Sequence, residues 1–175
     1  ALREDIKHQR TELDKANNLF SLYREERNYF RAKTFSQRRR VVVFRQMIQT
    51  TEKAYQALEA IEKRSEDYLQ LPENVQSRIE EQILSLTYYH QRIILRYNGK
   101  VNTHATDEYV DEIEKGQSTM TNLFVTLYEE EQFDLSQWHS FLPAISALIE
   151  YQQELEHLDT LVENHHTHAP EDENQ

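Results

Sequence analysis

Only two glycines, Gly99 and Gly116, and three prolines punctuate the 175 residues of this chain. A β-sheet protein of that length would turn about every ten residues, mostly on Gly, Pro or Asn. Such scarcity of turn residues leaves long, uninterrupted helices as the architecture. Hydrophobic residues are 38% and charged residues 29%, so each helix can bury only a stripe. That composition suits a thin, elongated bundle. The length supports one domain with a full core.

The stripes can be followed along the chain. Leu2, Ile6, Leu13, Ala16, Phe20, Tyr23 and Phe30 recur at helical spacing, with Gln9 and Arg27 in register. This is an amphipathic helix with a coiled-coil-like seam. A single helix running on to Leu69 would be about 100 Å long, so a break is expected near Thr34 to Ser36, with Ser36 as N-cap. The second helix, to about Tyr68, carries Val43, Phe44, Met47, Ile48, Thr51, Tyr55, Leu58 and Ile61. Leu71-Pro72 stops it, and Pro72 suits the first turn of a third helix. That helix has Val75, Ile79, Ile83, Leu86, Tyr89 or His90, Ile93 and Tyr97 on one face, and Asn98-Gly99 ends it. A fourth begins near Thr106 and contains Gly116, which costs about 1 kcal/mol relative to alanine unless helices approach closely there. Asp134 or Ser136 caps a further segment, Pro143 is expected to bend or restart it, and the final helix ends near Glu163. The expected fold is all-α, an elongated up-and-down bundle of about five long helices. It comprises residues 1–163, followed by a disordered polar tail at 164–175.

The charge is strongly polarised. The net charge is -11, yet residues 1–50 carry 12 basic and 6 acidic side chains, and Lys115 is the last Lys or Arg after Lys100. Eight of the 20 Lys and Arg lie between Arg24 and Arg45, including the triplet Arg38, Arg39 and Arg40. Arg38, Arg39, Arg40 and Arg45 are therefore the candidate membrane- or anion-facing residues. Three readings fit them: internal pairing with acids such as Glu129 to Glu131, contact with an anionic membrane surface, or capture of a small carboxylate. Phe20, Tyr23, Tyr29, Phe30, Phe35 and Phe44 beside these arginines would suit base stacking. The overall charge opposes a polynucleotide, and most of these rings fall on helix stripes.

Catalytic signatures do not emerge. Two glycines exclude a Gly-rich phosphate loop, and no nucleophile elbow is present. The chain has no cysteine, so disulfides, thiol nucleophiles and thiolate metal sites are excluded. Glu154-x-x-His157 has the spacing used by di-iron bundles, but those need a second copy and two further glutamates. His165, His166 and His168 offer at most an adventitious tail site. No cofactor is called for, and no enzymatic activity is expected.

Several segments resemble one family in order and pattern. They are Asn18-Leu19-Phe20 with its arginine-aromatic continuation, Arg45-Gln46-Met47 opening a helix that reads TEKAYQALEAI, and the Leu71-Pro72 break. The series continues with Ile94-Leu95-Arg96-Tyr97-Asn98-Gly99-Lys100 and the last helix AISALIEYQQELEHLD. Over about residues 1 to 163 the chain resembles the C-terminal cytoplasmic domain of the bacterial aromatic acid exporter family, within the fusaric-acid-resistance-like membrane proteins. That resemblance implies a non-catalytic regulatory or assembly domain at the cytoplasmic face of the inner membrane. Its partners would be its own transmembrane domain and the anionic membrane surface, since cytoplasmic segments near membrane spans carry excess Lys and Arg. The chain starts at Ala1, as a piece of a longer protein would. The alternative is a soluble helical adaptor or coiled-coil module, homo-oligomeric through the Leu2 to Phe30 seam.

Overall fold

A computed structural model describes residues 2–29, 35–102, 104–130 and 134–168. Six helices account for nearly all of them: α1 (Leu2–Tyr29), α2 (Phe35–Lys63), α3 (Ser65–Leu69), α4 (Glu73–Tyr97), α5 (Asp107–Glu129) and α6 (Leu135–His168). Five are long and α3 is a single turn. No strand occurs among the described residues.

Cross-links between helices give their order and direction. Arg10 pairs with Glu62 at 2.7 Å and Tyr55 donates to Asp14, so α1 and α2 are antiparallel. Gln46 reaches Glu154 while Lys53 reaches Glu150, so α2 and α6 are antiparallel as well. His90 meets Tyr151 and Arg96 meets Asp159, which makes α4 and α6 parallel. Gln82 donates to the Ile113 carbonyl and Ser85 to Glu112, so α5 runs back along α4. Across the bundle the order is α1, α2, α6, α4, α5. The chain goes up and down as expected, but its last helix is slotted between the second and the fourth. The basic α1–α2 layer and the acidic α5 layer consequently lie on opposite sides.

The central position of α6 explains its sequence. Leu155, Leu158 and Val162 have no exposed surface, and Leu148 and Tyr151 are buried beside them. Its start is fixed by a capping box: the Gln137 N–H donates to Asp134 Oδ1 at 2.8 Å and the Asp134 N–H donates to Gln137 Oε1 at 3.0 Å. Of the two expected caps, Asp134 is the one used.

Several boundaries differ from expectation. Helix α2 begins at Phe35, so Ser36 sits inside its first turn rather than capping it; the expected break at Thr34 falls outside the described residues. Helix α2 ends at Lys63, where Arg64 (φ −108°, ψ 22°) interrupts it before α3. Pro72 precedes α4 as its cap residue rather than entering its first turn. Pro143 neither stops nor restarts α6. Its ring is exposed, so the lost hydrogen bond falls on the solvent side of the helix. Helix α6 runs on to His168, beyond the boundary placed at Glu163; residues 169–175 lie outside the described part. Gly99 has φ +69°, the left-handed cap expected after Asn98.

Candidate functional site

The arginines end up together at one end of the bundle. Arg38, Arg40 and Arg45 are exposed and Arg39 is half-buried, all on the first three turns of α2. Arg38, Arg40 and Arg45 have no ion pair among the described residues, whereas Arg39 is engaged. No acidic residue occupies the first turn of α2. The helix dipole is positive at that end, so Arg38, in the first turn, opposes stability by about 0.3–1 kcal/mol. The acids considered as internal partners are elsewhere. Helix α5 runs antiparallel to α4, and Glu129 and Glu130 close it at the far end of the bundle. Glu131 is outside the described residues.

A cavity of about 250 Å³, open on one side, lies along these arginines. Arg38, Arg39, Val42 and Val43 of α2 form one wall, and Leu161, Asn164 and His165 of α6 form the other. Among the described residues that line it, none is acidic. Val43 is buried, but Val42 is 49% exposed. A stack of rings holds the two walls in place: Phe44 meets Tyr97 edge-on at 5.8 Å, and Tyr97 meets His165 at 5.2 Å. His165 thus packs against the bundle, where the sequence suggested a loose tail. Phe44 is packed against the core, as its stripe position implied; the side chains of Phe20, Tyr23, Tyr29, Phe30 and Phe35 lie outside the described part.

The Glu154 and His157 pair is not gathered into a metal site. Glu154 accepts hydrogen bonds from Gln46 and from Gln49, the latter at 3.1 Å, and so ties α6 to α2. His157 is exposed. Among the described residues no group of three or more His, Asp or Glu is close enough to hold a metal ion. The first half of the α1 seam is an internal interface: Ile6, Gln9 and Leu13 are buried within the chain.

Two buried polar centres were not anticipated. Arg96, 4% exposed, pairs with Asp159 and donates to Thr106 Oγ1 at 3.0 Å and to the Asp159 carbonyl at 2.8 Å. Tyr89 donates to the same Asp159 carboxylate at 2.6 Å. An arginine on the apolar face shared by Tyr89 and Ile93 was the available signal, because buried arginines are almost always paired. Deeper in, His90 and Tyr151 share a hydrogen bond of 2.8 Å, and His90 Nε2 is buried without a partner. Burial lowers the His90 pKa to about 4 and pushes the Tyr151 phenol well above its ordinary range. Burial likewise raises the Tyr89 phenol, with Asp159 adding to the effect. His90, Tyr89 and Tyr151 are all buried in the core.

No helix among the described residues is long and apolar enough to cross a membrane. The chain is similar to the UPF0421 protein YgaE of Bacillus subtilis (strain 168), with 31% identity over 171 residues. The match covers 98% of this chain and 48% of the relative, so the chain spans about half the length of the curated relative it matches. No family model matches the chain, and no solved structure matches it.

Proposed function

We propose that the chain is a non-catalytic regulatory or assembly domain at the cytoplasmic face of a bacterial inner-membrane exporter resembling the aromatic acid exporters. Its partners in this reading are the transmembrane segments of the same protein and the anionic lipid surface around them. The observation that carries the reading is the exposed set Arg38, Arg40 and Arg45 on the first three turns of α2, which have no ion pair among the described residues. Arg38 opposes fold stability where it stands, and an anionic surface is the partner that the charge of all three suits. The acidic α5 layer on the opposite side would face away from such a surface, which gives the bundle one preferred orientation. That the relative is about twice as long leaves room for membrane spans outside this chain.

Flotation with anionic liposomes at low salt tests this. Each basic residue near an anionic surface is worth about 1 kcal/mol. The chain should float with the vesicles, and an R38E/R39E/R40E variant should stay behind. Equal flotation of the two chains would remove the membrane-facing role.

A further inference from the structure

The arginine cluster comes with a feature that a purely electrostatic surface does not need. Beside Arg38 and Arg39 runs a slot walled by Val42, Val43 and Leu161. An exposed valine flanked by arginines exposes apolar area where only charge is required. The slot holds about 250 Å³, below the roughly 300–1,000 Å³ that encloses a whole small-molecule ligand. It can therefore take a segment of a chain and leave the rest outside. Arginines at the rim and no carboxylate among the described lining residues select an anionic head.

We infer that this slot binds one anionic phospholipid, with the phosphate on Arg38 and the upper part of an acyl chain against Val42, Val43 and Leu161. The inference rests on the membrane-facing reading above and makes it specific. The lipid's remaining methylenes stay in the bilayer, which is why a small, open slot suffices. Helix α2 and the end of α6 would then be pinned to the lipid at one defined point rather than held by diffuse attraction. Because the second wall belongs to α6, a lipid in the slot would bridge the two helices that form the middle of the bundle.

The test uses the 175-residue chain and vesicles of phosphatidylcholine in which about one lipid in three is phosphatidylglycerol. Binding is measured by co-sedimentation at low salt and at about 1 M salt, where the screening length falls to about 3 Å. Apolar contact is not screened, so wild type keeps part of its binding at high salt. Val42→Asn should bind about five- to tenfold more weakly there, since it loses apolar burial and must desolvate an amide. Val42→Leu should bind like wild type, and Arg38→Ala should lose binding mainly at low salt. Val42 is half-exposed, so an unchanged melting temperature of each variant checks the fold. If Val42→Asn matches wild type at both salts, attraction is only electrostatic and the lipid slot is wrong, while the membrane-facing reading stands. If wild type does not bind at low salt, the membrane-facing reading fails and the slot with it. Free decanoate provides the other arm. If it displaces the chain from vesicles well below its micelle-forming concentration, the slot belongs to a soluble amphiphile and not to a membrane lipid.

Discussion

Removing the Asp159 carboxylate should be among the most damaging single changes in this bundle. In Asp159→Ala, Arg96 stays 4% exposed with its charge intact and loses its carboxylate partner, while Thr106 Oγ1 and a main-chain carbonyl remain in reach. Tyr89 loses the acceptor of its hydroxyl at the same time. Breaking a buried pair from one side costs about 3–5 kcal/mol, mostly because the remaining charge is stranded. The Asp159 side chain is 15% exposed, so water relieves part of this and the lower end, about 3 kcal/mol, is expected. A domain of this size is stable by about 5–15 kcal/mol in total. At about 2–4 °C per kcal/mol the melting temperature should fall by roughly 6–12 °C. Thermal and urea unfolding, followed by far-ultraviolet circular dichroism at neutral pH, measure both quantities. The double variant Arg96→Met/Asp159→Leu should recover most of the loss, because an apolar pair of similar volume replaces a buried ion pair at little cost. A loss below about 1 kcal/mol for Asp159→Ala, or a double variant equal to the sum of its singles, would show that this pair is not the buried clamp described.

His90 gives a pH dependence with a definite sign. Its folded pKa is about 4 and its ordinary value 6.5, so the unfolded chain takes up the proton first. Stability is full above about 6.5 and falls as the pH drops towards 4, by about 3 kcal/mol relative to His90→Gln; parallel unfolding curves for the two chains across that range would contradict it. Gly116→Ala should destabilise despite better helix propensity. A Cβ there would lie 2.1 Å from Gln82 Oε1 and 2.5 Å from Arg78 NH2. Moving Gln82 breaks its bond to the Ile113 carbonyl, costing about 1–3 kcal/mol against a gain of about 1. A rise in the urea midpoint would mean that the two helices are not in such close contact.

The helices and their buried faces were largely legible in the sequence, because helical periodicity is a local property. Val75, Ile79, Ile83, Leu86 and Ile93 are buried in α4 as their spacing requires. The close helix approach at Gly116 was also signalled, by a glycine where alanine would serve the helix better. Boundaries without a chemical mark were not legible. The break at Arg64 carries neither Gly nor Pro, and Pro143 marks a stop that the fold overrides by turning the ring outward. Partners distant in sequence were hidden as well. Arg96 and Asp159 are 63 positions apart, and Gln46 and Glu154 are 108 apart. Only the packing order, which no stripe encodes, brings them together. The candidate site was half legible: its arginines stood out in sequence, but the second wall, Leu161, Asn164 and His165, sat in a segment assigned partly to a tail.

The central place of α6 has a consequence for how the chain is made. A ribosome releases α2 well before α6, so α2 exposes a stripe whose main partner has not yet been synthesised. Native pairing of α2 with α6 spans more than half of the chain, so the core cannot close during translation until the C-terminal segment emerges. A product truncated before α6 would present the α2 and α4 stripes together, with nothing between them, and would be a substrate for chaperones and proteases rather than a smaller working domain.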